Sequence, residues 1–270
     1  MKNQTEFAHI HPGAKIGKDV TIGPFSYIEE DVEIGDGCWI GPNVTIFNGA
    51  RIGKGVRIFP GAVIAGIPQD LKFNGEYTQA IIGDDTTIRE YVTVNRGTAY
   101  AQKTIVGKNC LLMAYVHVAH DCVLGDHVIL ANNVNLAGHV IIEDWAIIEG
   151  QVGVQQFCRI GKHSFIAGGS LVRKNVPPFV KAAREPLSYA GINYIGLQRR
   201  NFTNEQIQQI RDIYRILYVK GYNTSKAIEM IEDQVPDSEE REHILHFIRE
   251  ADLVIMRGFR QINGSDVSES

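Results

Sequence analysis

The stretch "AYVHVAHDC", residues 114–122, holds His117 and His120 three apart, with Asp121 and Cys122 directly behind them. Residues of these types support three kinds of chemistry. Imidazole and thiolate groups bind transition metals. A histidine beside a carboxylate works as a general base whose tautomer is fixed. At a bend, the same residues are simply polar. Spacing does not decide among these; the elements that hold the stretch do.

Those elements declare themselves as a repeat. Isoleucine occupies positions 10, 16, 22, 28, 34, 40, 46, 52, 58 and 64, a step of six every time. Ile82, Ile88 and Val94 resume the step, and Val106 through Val172 carry it on. Two residues before each lies a small or β-branched residue, such as Val20, Ser26, Val44, Val116 or Val140. A helix needs a period near 3.6 and a flat strand needs simple alternation. A period of six fits short strands joined by sharp bends, each turning one large aliphatic and one small residue inward. The pattern resembles the left-handed parallel β-helix of the hexapeptide acyltransferases. In that fold three hexapeptides make one triangular coil, so residues 18 apart stack. Cys38, Cys110, Cys122 and Cys158 all fall in the small inward position. They are expected to be buried and inert, which takes Cys122 out of the opening constellation.

The expected fold is therefore an all-β left-handed parallel β-helix, the hexapeptide solenoid, over 1–185. A C-terminal α-helical domain follows over 186–270. Two excursions, 65–81 and 95–105, interrupt the coil. Long departures from a rigid scaffold often carry function, and the first contains "QDLK", an amide, an acid and a base in four residues. The solenoid is expected to end near "NVPPFV". A helix then starts at Thr203, with Gln206 completing a capping box and Gly221 as the stop. Its apolar face is Ile207, Ile210, Tyr214 and Leu217. A second helix is expected over about 224–235, and a third from Asp237, with Glu240 at its box position, to about Arg257. The final "NGSDVSES" reads as disordered.

Composition narrows the class. The chain has 270 residues, 44% hydrophobic and 21% charged, with a net charge of -4. That balance argues against a nucleic-acid binder. No run approaches a membrane span, and the start shows no apolar signal segment, so a cytoplasmic protein is expected. Between 173 and 220 there are nine bases and three acids. This basic segment, including Arg211, Arg215 and Lys220, suits an anionic partner.

Counting by 18, Gly138 stacks on His120, His139 on Asp121, and Gln156 lies two coils above His120. A metal site on this corner would need a third ligand; zinc carbonic anhydrases of the same fold use three histidines across a subunit interface. A histidine base fits better. It would take the proton of a sugar hydroxyl, with Asp121 fixing its tautomer and a backbone N–H near Gly138 meeting an oxyanion. Gly168 lies between two and three coils beyond His120, and Gly150 one coil below Gly168. At about 4.8 Å per coil this suggests a groove roughly 13 Å long, suited to a long acyl chain.

The motifs "QDLK", "NRGT", "VHVAHDC", "LANN", "LAGHV", "QQFC", "NVPP" and "GLQRR" occur in this order. Together they make the chain resemble, over nearly its whole length, the UDP-N-acetylglucosamine O-acyltransferases that open lipid A biosynthesis. The resemblance implies His120 as catalytic base, Asp121 as its acid partner and Gly138 as the oxyanion glycine. It implies substrate contacts from Gln69, Asp70, Lys72, His117, His139, Gln156, Asn193, Arg199 and Arg200, and a chain-length position at Gly168. It further implies a homotrimer with its active sites between subunits, and no cofactor or metal. The donor would be a 3-hydroxyacyl chain on the phosphopantetheine of an acidic acyl carrier protein. The chain departs from the family at Asn95 and Gln155, where some relatives carry histidine. It departs also at Ile195, where a nucleotide-contacting glutamate is replaced. Two other readings are a coenzyme A-dependent sugar or amino-sugar acyltransferase and a non-catalytic solenoid scaffold.

Overall fold

The computed structural model describes residues 7–250 and 253–258. Among them the short strands form three sheets of nine, eight and eleven strands, the last including Ser188–Ile192 and Arg257–Gly258, which lie beyond the coil. Every third strand joins the same sheet, so one turn of the chain visits three faces. We call face I the sheet holding His117–Val118, face II that of Val123–Leu124, and face III that of Ile129–Leu130. Pairing within each face of the coil is parallel, as in His117↔Asn135 and Val123↔Ile141. The inward residues form one continuous core; Ile22, Ile40, Leu112, Val118 and Ile148 are fully buried. All four cysteines are free and buried. Burial pushes the Cys122 thiol up to about 12.

The bends have a backbone requirement of their own. One residue before the small inward position, φ is positive: Asn109, Tyr115, Asp121, His127, Asn133, His139 and Trp145 all lie between 54° and 64°. A left-handed φ is costly for β-branched residues and cheapest for Asn, Asp and Gly. No β-branched residue occupies such a position among the described residues. This third register was not read from the sequence.

The excursions are shorter than expected, because the flanking strands run further. Val63–Gly66 and Gln79–Ile82 bound the first at 67–78; Thr93–Asn95 and Lys103–Val106 bound the second at 96–102. An uninterrupted coil would pair Val63 with Ile81 and Thr93 with Leu111. Instead Val63 pairs with Thr93, and Thr93 with His117. The insertions thus add two hexads and one hexad, so the inward face keeps its register. Both leave from the corner between faces I and II.

The coil continues past the prolines. Val180–Ala183 still pairs in parallel on face III, then turns into an antiparallel partner, Ser188–Ile192. Four helices follow: α1 (Tyr194–Arg199), α2 (Asn204–Tyr218), α3 (Thr224–Gln234) and α4 (Glu239–Arg249). The Thr203–Gln206 capping box on α2 is present, and α1 was not expected. The expected third helix needs two corrections. Its N-cap is Ser238, not Asp237, because it is the Ser238 hydroxyl oxygen that accepts from Arg241 N, at 3.1 Å; Glu240 accepts instead from Gln206 Nε2 at 2.7 Å, tying α4 to α2. It ends at Arg249, and Arg257–Gly258 is a short strand against Ser188–Tyr189. Residues 263–270, expected to be disordered, lie outside the described residues. No described helix is long and apolar enough to cross a membrane.

The helices dock on the last coil through α2. Ile207, Ile210, Tyr214 and Leu217 are buried, as its periodicity requires. Tyr214 is fully buried and its hydroxyl donates to the Pro178 carbonyl at 2.5 Å. Tyr214→Phe leaves that carbonyl unpaired in an apolar setting, which costs about 1–3 kcal/mol. Chemical denaturation should show this loss with secondary structure intact; an unchanged midpoint would show that this bond does not hold the docked helices.

Candidate active site

The corner between faces I and II carries both excursions and, on the coils above them, residues 119–122, 137–140 and 155–158. His120 projects from it half-buried, and its Nδ1 lies 2.9 Å from Asp121 Oδ2. The Asp121 side chain is entirely buried. Its φ of 58° at the bend turns the carboxylate back over the second excursion. There Thr98 N and Ala101 N donate to Oδ1 at 2.9 and 3.3 Å, and the Thr98 hydroxyl donates to Oδ2 at 2.6 Å. Burial alone would raise the carboxyl pKa, but the bonds from Thr98 and His120 outweigh it, and the net shift is downward. The group's contribution to stability is therefore complete above its unfolded pKa, about 3.9. It is lost as pH falls through the depressed folded value. At neutral pH Asp121 is an anion and can only accept. The proton of neutral His120 then sits on Nδ1, which leaves Nε2 with a free lone pair.

Gly138 makes room for that ring. A Cβ at position 138 would lie 2.5 Å from His120 Cε1 and 2.7 Å from Nε2, so a side chain there displaces the imidazole. Among the described residues the N–H of Gly138 donates to no protein group. On the II/III corner the equivalent N–H groups of Lys108 and Asp126 are capped by Asp126 and Asp144 of the next coil. The I/II corner therefore keeps an open donor beside the His120 ring.

His139 sits at the bend above Asp121, with φ 62°. Its ring stacks on Phe157 at 4.5 Å, meets Tyr100 edge-on at 4.6 Å, and places Nδ1 3.9 Å from Asp121. Burial lowers its pKa, and the charge of Asp121 offsets this only partly. His117 projects outward from face I and bonds Thr93 Oγ1 through Nδ1 at 2.7 Å. Burial and the nearby His120 lower its pKa. Beside it a groove of about 420 Å³ crosses face I, lined by His117, Ala119, Ala137, Gly153, Leu171 and Arg173 among others. The first excursion brings its acid to the same corner, where the charge of Asp70 acts on His139. Asp70 Oδ1 also accepts from Lys72 N at 2.9 Å, while Gln69, Lys72 and Gln156 stand exposed.

His120, Asp121 and His139 offer ligand atoms within 4.8 Å of one another, the only such group among the described residues. Metal chemistry suits them poorly. Asp121 already accepts four hydrogen bonds, and a cation would have to displace at least one of them. The geometry is that of a histidine whose Nδ1 is fixed by a buried carboxylate.

Other expected site residues lie elsewhere in a single chain. Asn193 caps α1 and donates Nδ2–H to the His163 carbonyl on the II/III corner. Arg200 packs over Trp145, 4.9 Å from the ring, on that same corner. Its neighbour Arg199 is exposed. Gly168 and Gly150 stack on the III/I corner, so the expected acyl groove does not run up the edge that bears His120. On α2, Arg215 pairs with Asp212 at 3.1 Å and Arg211 Nη1 donates to Gln208. Arg215 and Lys220 also border a second hollow of about 730 Å³. Thr98 and Thr104, whose hydroxyls hold the Asp121 side chain and its N–H, were not read as site residues. The signal available was their place in and beside the "NRGT" excursion.

Comparison with known proteins agrees with this architecture. The family model "Udp N-acetylglucosamine O-acyltransferase; Domain 2" matches residues 175–259, and the hexapeptide transferase repeat matches 13–48, 31–66 and 103–138. An acyl-[acyl-carrier-protein]–UDP-N-acetylglucosamine O-acyltransferase of Xanthomonas oryzae is 48% identical over 263 residues, covering 95% of this chain and all of the relative. That of Xylella fastidiosa is 44% identical over 252 residues, 93% of this chain and 96% of the relative. The crystal structure of a UDP-N-acetylglucosamine acyltransferase from Bacteroides fragilis superposes with a TM-score of 0.93 at 52% identity, over 94% of this chain and 99% of that one. These matches also supply the hand of the coil, which is left-handed. With the repeat, the helical cap and the matched sequence in agreement from end to end, the chain belongs to the acyl-[acyl-carrier-protein]–UDP-N-acetylglucosamine O-acyltransferase family.

Proposed function

We propose that this protein transfers a long-chain 3-hydroxyacyl group from acyl carrier protein to the 3-hydroxyl of UDP-N-acetylglucosamine, as the first step of lipid A biosynthesis in the cytoplasm. The observation that carries the reading is the buried, fully bonded Asp121 aligned on His120 Nδ1. His120 Nε2 takes the proton of the sugar 3-hydroxyl as its oxygen attacks the thioester carbonyl. The Gly138 N–H meets the oxyanion of the tetrahedral intermediate. The C–S bond then breaks, and the imidazolium returns its proton to the departing phosphopantetheine thiolate. Asp121 stabilises the imidazolium throughout by accepting from Nδ1. No cofactor enters this scheme. Asp70, Gln69, Lys72, His139 and Gln156 border the sugar on the same corner, and the groove on face I takes the acyl chain past His117.

The reading includes a homotrimer. Asn193, Arg199 and Arg200 lie a face away from His120 in one chain. A neighbouring protomer would bring their corner against the first protomer's base, and Gly168 would reach the acyl chain the same way. Guanidinium groups suit phosphate oxygens, so the pair would hold the diphosphate. The carrier protein, being acidic, would dock on the basic surface of Arg211, Arg215 and Lys220.

Two point variants test the base. His120→Ala should lower kcat about 10²–10⁴-fold with little change in melting temperature, since the ring contributes little to the core. Gly138→Ala should behave alike, because the added methyl displaces the ring and leaves the coil intact. Activity near wild type in either, measured by product formation from hydroxyacyl carrier protein, would remove His120 from the mechanism.

A mixing experiment tests the shared site. His120→Ala protomers and Arg199→Ala/Arg200→Ala protomers are each weak at a UDP-sugar concentration below KM. Co-refolded in equal amounts, they should recover about a quarter of wild-type activity, the fraction of interfaces in a random threefold ring with both halves intact. No recovery would place both groups in one chain's site or exclude the trimer.

A further inference from the structure

We propose that Thr98 is a positioning residue for the transfer reaction: both its hydrogen-bond donors are committed to Asp121, and through that carboxylate it sets the orientation and proton of His120. The inference rests on His120 being the base, as argued above.

Asp121 Oδ2 is shared by two donors, the Thr98 hydroxyl at 2.6 Å and His120 Nδ1 at 2.9 Å. The Thr98 backbone N–H holds the other oxygen at 2.9 Å. Thr98 Oγ1 accepts from Tyr100 N at 3.3 Å, so its own proton is directed to the carboxylate. Thr98 is buried, and the Asp121 side chain beneath it is wholly so. A buried carboxyl short of donors would protonate. It would then offer a donor to His120 Nδ1 and let the imidazole carry its proton on Nε2, the wrong nitrogen for a base. A plain coil has no residue where Thr98 sits; the inserted segment 96–102 puts it there. That segment is braced in turn. Ala99 N donates to Glu76 Oε1 at 2.9 Å, and the Arg96 guanidinium lies 5.5 Å from the Phe73 ring centre. Glu76 and Phe73 belong to the first excursion, so the segment bearing Asp70 supports the segment that aligns the base.

Thr98→Val keeps the shape and removes the hydroxyl; Thr98→Ser keeps the hydroxyl. With UDP-N-acetylglucosamine and 3-hydroxyacyl carrier protein, Thr98→Val should lower kcat about tenfold to hundredfold, the scale seen when a group that orients a functional imidazole is lost. The KM for the UDP-sugar should stay within about twofold, since Thr98 acts through His120 rather than on the sugar. Thr98→Ser should return to within about threefold of wild type. The acidic limb of the kcat/KM profile should move in the Val variant and not in the Ser variant. His117, His139, Asp70 and Asp121 face the same corner and are unaltered in both. Nitrogen NMR of the ring should show the Nδ1–H tautomer in wild type and a mixture in Thr98→Val. If the Val variant fails to fold, Thr98→Ala replaces it under the same criteria. A hydroxyl-free variant with wild-type kcat and pH profile, or a Ser variant as weak as the Val variant, overturns the proposal. Wild-type protein that transfers no hydroxyacyl group would instead sink the reading of the activity, and the NMR would still report on Thr98.

Discussion

The structure depends on one backbone constraint. At nearly every corner of the coil one residue must take a left-handed φ, so that a two-residue strand can turn onto the next face. Bends of this kind repeat at a fixed angle, close a triangle with every third hexad, and stack like on like. The inward aliphatic columns follow, because any other register would turn charge into the core. So does the site. Asp121, His139 and Phe157 occupy one column of left-handed corners, and the same turn that brings Asp121 over the excursion brings His139 to within reach of it.

A rigid prism can bury hydroxyls and amides cheaply but not a carboxylate, and among the described residues of the coil only Asp121 is a buried one. Elsewhere corner carboxylates such as Asp126 and Asp144 stay at the surface and cap the N–H of the coil below. At the I/II corner an insertion of one hexad covers the carboxylate and meets its acceptors. The insertions cost little because they are whole hexads: the columns above and below keep their register, and the loop carries no part of the core. A buried, fully bonded carboxylate beside His120 is thereby added to the scaffold without altering it.

The helical cap solves a different problem. The last coil exposes an apolar end, and α2 closes it with Ile207, Ile210, Tyr214 and Leu217. Glu143 of the coil accepts from His243 of α4 at 2.8 Å and from Arg159 at 3.1 Å. The cap therefore holds α1 and its arginines at a defined height on the II/III corner, one face away from His120 of the same chain.

The coil was legible in the sequence because its period is local: large and small inward residues alternate within each hexad, and no long-range pairing is needed to see them. The buried cysteines, the cap on α2 and the stacking of Gly138 on His120 followed from counting. The roles proposed for His120, Asp121 and Gly138 rest on that count together with family likeness. Three things waited for the tertiary structure. The donors on Asp121 come from Thr98 and Ala101 in the second excursion, and only the path of an irregular loop decides where such groups point. The true cap at Ser238 depended on which side chain reaches Arg241 N, and Glu240, expected in a capping box, instead accepts from Gln206 of α2. The division of the expected binding residues among three corners depended on which face each stretch reached, since the step from His120 to Gly168 is not a whole number of coils. Periodicity specifies which residues share a column; it takes the folded corners to say which columns can meet within one chain.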